Sequence, residues 1–215
     1  MDVKSALVTC HAERPLDDEA WSRLLVLLRR PPGRLPIIPL LRPPDRAAGE
    51  DEERWLARAR EAAAGGPIGL HTHWTSPTHA RPTQGDPAAR VREELVWLRE
   101  NGLAPRLFCG GGWYTDEHVR DVLAEAGVVD CTATAFTPPV PEPFRIAHAP
   151  ADGLLPTTHS VGMLARGVLG RLPGYVHAYF HDTDLLPARR RNVLVNSLRL
   201  LGQRRRPFPL SDVQS

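Results

Sequence analysis

Two histidines, His71 and His73, stand at the end of a short apolar run over residues 68–70. In an extended backbone, side chains two residues apart project to the same face, so both imidazoles can point at one spot. Imidazole is the commonest side-chain ligand of zinc and related metals. The pair therefore predicts half of a metal site at a strand end, although an isolated pair of this kind is also common on ordinary loops.

A catalytic metal site needs about three protein ligands and an open position for water. Glu13 follows the first apolar run of the chain and is the best carboxylate to complete the set with His71 and His73. The alternative for Glu13 is a loop residue that pairs with Arg14. A metal held by the three ligands would acidify a bound water molecule and polarise a carbonyl oxygen.

The last apolar run ends at His181, with Asp184 three residues further on. We expect His181 to protonate a leaving group and Asp184 to orient it, because a carboxylate partner both orients and charges an imidazole. His177 would face the same side as His181 but deeper in the fold, where a structural role is favoured. His159 follows another run and is a weaker candidate for the same rim.

Further residues are expected to shape a substrate pocket around these groups. Trp74 and Trp113 lie where a sugar ring could stack, although either can equally serve packing. Backbone N–H groups near Gly111 and Gly112 are expected to face an oxyanion.

The elements that must position these residues alternate along the chain. Strands are predicted at 5–10, 35–41, 68–71, 106–109, 128–133, 144–147, 154–158 and 174–181, and helices at 17–30, 50–64, 88–101, 116–126 and 189–202. Pro36 and Pro39 favour an edge or irregular strand for the second run. This alternation predicts an α/β fold in which helices flank a parallel sheet, and about seven units suit a small, distorted β/α barrel. The carboxyl ends of barrel strands share one rim, so the polar residues should converge there.

Composition excludes several other classes of protein. The chain of 215 residues is long enough for a single domain, 1–215, and its net charge of +2 predicts neither nucleic-acid nor membrane binding. The three cysteines are widely spaced and predict no disulfide framework or zinc ribbon. No secretion signal and no apolar stretch of about 20 residues is evident, so the sequence predicts a soluble, cytoplasmic protein.

Taken in order, the motifs resemble those of the polysaccharide deacetylase (NodB-homology) superfamily, of which the chain would be a divergent member. Residues 68–74 resemble the second motif, which supplies metal-binding histidine. Residues 107–113 resemble the third motif, and 179–181 the last, whose histidine is the general acid. The resemblance implies a distorted (β/α)7 barrel that uses a divalent metal, zinc by preference, to hydrolyse N- or O-acyl groups.

The chain departs from this pattern at three positions. His11 stands where the first motif has an aspartate, which makes it either the general base or an additional ligand. Thr75 stands where the second metal histidine is usual, so that His73 would have to take its place. Cys109 replaces an arginine that holds the base.

Three functions follow as hypotheses. The first is a metal-dependent hydrolase that removes an acyl group from a carbohydrate or small amide. The second is a barrel of the same fold that has lost catalysis and binds a carbohydrate or a protein. The third, an amidohydrolase-type barrel, ranks last because there the His-x-His pair normally follows the first strand. The oligomeric state is left open.

Overall fold

The structure is a computed structural model that describes residues 4–132, 150, 153–166 and 172–212. Its strands are β1 (Ser5–Ala12), β2 (Ile37–Leu41), β3 (Gly69–Thr72), β4 (Leu107–Gly110), β5 (Val129–Asp130), β6 (His159–Ser160), β7 (Tyr175–His181) and β8 (Arg206–Pro207). Its helices are α1 (Asp18–Arg29), α2 (Glu52–Gly65), α3 (Pro87–Glu100), α4 (Glu117–Ala126), α5 (Val161–Leu164) and α6 (Ala188–Arg204). None of the helices described is long and apolar enough to cross a bilayer.

The strands form one parallel sheet in the order β5-β4-β3-β2-β1-β7-β6, and β8 pairs with the start of β1. The segment before β6 links the two edges: the N–H of Leu155 donates to the carbonyl of Asp130 at 2.9 Å, and that of Thr158 to His177 at 3.0 Å. The sheet therefore curls into the predicted distorted β/α barrel. Its first and last long strands, β1 and β7, are direct neighbours.

The strand β2 lies inside the sheet, between β1 and β3, and the expectation of an edge strand is wrong. The N–H of Arg42 donates to Ala12 of β1, and donors alternate sides along a strand, so position 39 faces β3 instead. Pairing with β3 begins only at Leu40. The N–H that Pro39 lacks is therefore not needed by the ladder.

Four helices begin with the same device. The N-cap aspartates of α1, α2, α3 and α4 each accept a hydrogen bond from the backbone N–H three residues on, which satisfies one orphan donor. These aspartates are Asp17, Asp51, Asp86 and Asp116. Helix α6 differs, because Pro187 precedes it and supplies no side-chain bond.

Two apolar clusters divide the interior. One joins the outer face of the sheet to the helices and includes Trp55 and Phe108. The other fills the barrel and includes Leu40, Cys109 and Cys131. All three cysteines are buried free thiols, in agreement with the sequence.

Two predicted strands differ from the structure or cannot be compared with it. The predicted strand at 154–158 makes a single bridge at Leu154, and regular pairing begins at His159. The predicted strand at 144–147 lies outside the described residues.

Candidate active site

The candidate site lies at the carboxyl ends of β1, β3 and β7. Glu13 follows β1 directly, and His73 follows β3. The register of β1 and β7 places His11 opposite His181. Because side chains alternate along a strand, His11 and His181 both project to the inside of the barrel together with residues two positions away.

One carboxylate oxygen, Oε1 of Glu13, is the focus of three imidazoles. It lies 3.7 Å from Nε2 of His71, 3.6 Å from Nε2 of His73 and 3.6 Å from Nε2 of His181. Ligand atoms of Glu13, His71 and His73 also lie within 4.8 Å of one another. The convergence expected from the sequence is therefore present, and His71 and His181 share one opening.

Backbone carbonyls fix the orientation of two of these rings. Nδ1 of His71 lies 2.8 Å from the carbonyl oxygen of Cys109, and Nδ1 of His73 lies 2.9 Å from that of Pro77. A carbonyl only accepts, so each Nδ1 carries the proton and each Nε2 turns its lone pair toward Glu13. Metal-binding histidines typically donate their other ring N–H to a carbonyl in this way.

The residues present fit a divalent cation. Nε2 of His73 is buried and has no hydrogen-bond partner, an arrangement that costs about 1–3 kcal/mol when nothing else binds the atom. The N–O distances of 3.6–3.7 Å are too long for hydrogen bonds. They resemble the separation of roughly 3.4 Å between two ligands of a tetrahedral ion with bonds of about 2.1 Å.

The charges of the site suit the same purpose. Burial raises the pKa of Glu13, but the three histidines that face it, His71, His73 and the charged His181, outweigh burial and hold that pKa well below its usual range. Burial lowers the pKa of His71. At neutral pH the cluster is therefore an ionised carboxylate beside a neutral imidazole, the protonation states that a metal requires.

A second group of donor atoms, from His11, His71 and Cys109, is also compact enough to hold an ion. Burial raises the pKa of the Cys109 thiol well above its usual range, so the thiolate is disfavoured there. The set with Glu13 is the better cation site because its carboxylate is already ionised.

His181 is held from one side by Asp184. The carboxylate accepts from the backbone N–H of His181 at 3.0 Å, and its Oδ2 lies 3.8 Å from the ring Nδ1. Burial lowers the pKa of His181, but Asp184 and the charge of Glu13 raise it above its ordinary value overall. The arrangement favours an imidazolium, which is the proton-donating form.

His11 occupies the centre of an aromatic group inside the rim. Its ring stacks on His71 and on Tyr179, with centroids at 4.5 Å and 5.1 Å, and meets His181 edge-on at 5.2 Å. Its Nε2 is buried without a hydrogen-bond partner. Burial, with the nearby His71, lowers the pKa of His11 well below its usual range, so the ring is neutral.

The third motif supplies one wall of the site. The Trp113 ring lies 5.4 Å from His11 and 4.8 Å from Tyr179, centroid to centroid. Trp113 adopts a φ of 61°, a conformation that is costly for a bulky residue. Gly111 is needed because a Cβ there would lie 2.6 Å from the carbonyl oxygen of Thr72, and Gly112 has a φ of 60°.

Two of the predicted pocket residues lie elsewhere. Trp74 is buried on the outer face of the sheet, where it packs against Phe108 and donates its indole N–H to the carbonyl of Gly111 at 3.0 Å. His159 pairs with Ala178, whose side chain belongs to the cluster between sheet and helices. In both cases strand alternation turns the side chain away from the rim.

Of the positions that depart from the family pattern, Thr75 is exposed and donates its hydroxyl hydrogen to the carbonyl of Arg81 at 2.7 Å. The structure thus brings His73, and not position 75, to Glu13.

Sequence reasoning missed Arg42, which follows β2 and is buried. Its Nε donates to the carbonyl of Glu13 at 2.8 Å, and its two terminal nitrogens bond the Glu50 carboxylate at 2.9 Å and 2.6 Å. A charged residue directly after an apolar run, at the same edge as Glu13, was the available signal. The pair holds the backbone of Glu13 in place.

Asp182 ties the ends of β1 and β7 together and was also missed. Its carboxylate accepts from the backbone N–H groups of Arg14 at 2.7 Å and Thr183 at 2.8 Å. Burial raises the pKa of Asp182 to about 6.

No protein-family model and no curated protein matches the sequence. Among solved structures, the chain is similar to a family 4 carbohydrate esterase from Streptomyces lividans in complex with acetate. The two are 15% identical, the alignment covers 99% of this chain and 95% of that chain, and the TM-score is 0.55. Likeness at this identity establishes the fold. It confirms the distorted (β/α)7 barrel, and with it the resemblance to NodB-type deacetylases at the level of architecture.

Proposed function

We propose that the protein is a metal-dependent hydrolase that removes an acyl group, such as acetyl, from an N- or O-acylated carbohydrate or small amide. The observation that carries this proposal is the meeting of three imidazole Nε2 atoms at one carboxylate oxygen of Glu13. The fold shared with a carbohydrate esterase that was solved with acetate supports the same class of substrate.

Glu13, His71 and His73 would hold the cation, which we propose to be zinc. When bound, such an ion polarises an acyl carbonyl and makes water acidic enough to attack it near neutral pH. The chain itself supplies an ionised carboxylate and two ring nitrogens already turned toward the site, so little reorganisation is needed when the ion binds.

The reaction breaks the bond between the acyl carbon and the leaving nitrogen or oxygen. Water forms a new bond to the acyl carbon, and the neutral ring of His11 accepts a proton from that water. His181, kept charged by Asp184, donates a proton to the leaving atom. The products are the free acid and an amine or alcohol, and both histidines then exchange protons with solvent.

The replacements at positions 11 and 109 are consistent with each other. The family pattern pairs an acidic base with an arginine, whereas this chain has a neutral imidazole at position 11 and a thiol at position 109. The carboxylate and arginine of the family have a combined charge of zero, and so do the neutral His11 and the Cys109 thiol of this chain. A neutral histidine needs no cation to hold it, and here it is positioned by stacking on His71 and Tyr179.

Metal analysis and an activity assay test the proposal together. Protein purified without chelator should contain about one zinc per chain and should release acetate from N-acetylglucosamine oligomers or acetylated sugars. His73→Gln should lose both properties, while His118→Gln, an exposed histidine on α4, should retain both. A wild-type protein that takes up no zinc even when it is supplied would refute the proposal.

The alternative function, a binding barrel without turnover, makes a different prediction. Such a protein would bind acetylated sugars and release no acetate, and His181→Gln would leave its behaviour unchanged.

A further inference from the structure

A cavity of about 600 Å³ adjoins the candidate site on the side of His181. It shares Tyr179, His181 and Asp184 with that site, and its far wall comes from α5, α6 and their flanks. Its volume lies within the range of small-molecule sites and suits a sugar ring with a substituent. Since His181 is the proposed proton donor, this is the space in which a leaving group would lie.

Three arginines line the cavity, Arg166, Arg189 and Arg190, and all three are exposed. The acidic side chain in its lining, Asp184, already faces His181 and lies 3.4 Å from Arg190. Within the described residues, neither Arg166 nor Arg189 forms an ion pair. Among the residues that the structure describes, the lining of the cavity therefore carries an excess of positive charge.

Two of these arginines, Arg189 and Arg190, belong to α6. In α6 the arginines occupy the first turn, where positive charge opposes the helix dipole and acidic residues are preferred. Stability of the helix does not account for them.

We propose that the cavity binds an anionic group, a phosphate or a carboxylate, on the leaving-group portion of the substrate. This inference rests on the proposed function and specifies its substrate class: an acylated sugar or amine that carries a negative charge. A guanidinium presents a planar fork of donors that matches both oxyanions. Binding of the anion between Arg166 and Arg189 would hold the scissile atom beside His181.

Binding of non-hydrolysable probes tests the proposal without requiring turnover. Isothermal titration at about 0.15 M salt, where only close charges act strongly, would compare glucose 6-phosphate, glucuronate and glucose. We expect at least one anionic probe to bind about tenfold or more tightly than glucose. A preference for glucose 6-phosphate would identify a phosphate, and a preference for glucuronate would identify a carboxylate.

Variants locate the binding site. The double change Arg166→Gln with Arg189→Gln should remove the preference for the anionic probe. Arg204→Gln, an exposed arginine at the opposite end of α6, should keep it. His73→Gln should also keep it, because the cavity is separate from the proposed metal ligands.

Three results would overturn the inference. They are equal affinity for glucose and both anions, an unchanged preference in the double variant, and loss of binding in His73→Gln alone, which would place the anion on the metal. Failure of the proposed function looks different. A protein that binds glucose 6-phosphate through Arg166 and Arg189 but releases no acetate from any acetylated sugar would refute hydrolysis and leave the anion site standing.

Discussion

Buried histidines face the inside of the barrel in two different settings. In the depth of the barrel, His177 has partners on both ring nitrogens: Nε2 lies 2.9 Å from the Thr9 hydroxyl and Nδ1 lies 3.1 Å from the carbonyl of Leu155. At the rim, His73 has a carbonyl on Nδ1 and no hydrogen-bond partner on Nε2. Folding accounts for a ring whose two nitrogens both have partners within the protein, whereas a ring nitrogen left open toward Glu13 is what the proposed metal site requires.

The sharpest test of this comparison replaces one histidine of each kind. His71→Gln should lower zinc affinity by roughly 100-fold or more and abolish measurable acetate release, because a ligand is removed. His177→Gln should retain one zinc per chain, since its ring nitrogens are occupied within the protein. Metal content after dialysis and an acetate assay measure both, and loss of zinc in both variants would break the distinction.

The next effect concerns the rim residue that is proposed to donate a proton. His181→Gln should lower kcat for an N-acetyl sugar by about 10²- to 10⁴-fold while metal content is unchanged. Hydrolysis of 4-nitrophenyl acetate should fall much less, because that leaving group departs without a proton. Equal losses on both substrates would contradict the role of an acid.

Replacing Arg42 tests whether the position of Glu13 at the rim depends on the hydrogen bond that Arg42 donates to it. Arg42→Met should lower the free energy of unfolding by about 3 kcal/mol, because it leaves the carboxylate of Glu50 without its buried partner. Zinc affinity should fall as well, since Arg42 holds the carbonyl of Glu13. Urea unfolding with and without zinc measures both effects. The double variant Arg42→Met with Glu50→Gln is the control, because it also removes the carboxylate left unpaired and should recover stability but not zinc affinity.

The smallest expected effect concerns His177, whose two ring nitrogens have partners within the protein, and the stability of the fold at acid pH. Burial lowers the pKa of His177 to about 4, whereas an unfolded histidine titrates near 6.5. Below pH 6.5 the unfolded chain takes up a proton that folded His177 refuses, so stability falls as the pH falls toward 4, by up to about 3 kcal/mol. His177→Gln should be less stable at pH 7 but should lose less between pH 7 and pH 4. Urea unfolding at both pH values measures this, and an unchanged pH difference would refute it.

The sequence predicted the fold and the convergence at the rim because both follow from periodicity and from the shared edge of parallel strands. Alternation also explains the errors. Trp74 stands next to His73, so its side chain points to the opposite face of the sheet. His159, the first residue of β6, pairs with Ala178, and its side chain points out of the barrel. The predicted bounds of each strand did not determine which of its residues point to the inside of the barrel.

The bonding partners of Arg42 and the arginine cavity were beyond what the sequence could predict. Their significance depends on which distant segments lie close together: Arg42 donates to Glu13, and Arg166 lines the same cavity as the first turn of α6. Single-residue patterns do not encode such distances.

The neighbouring positions of β1 and β7 have a consequence for how the chain is made. Thr9 and His177, which are bonded to each other, are 168 residues apart. During synthesis β1 cannot gain this neighbour until the residues of β7 have left the ribosome, and contacts of such long range also slow folding. Glu13 and His181 meet only when β7 has joined β1, so the candidate site cannot form before β7 is made.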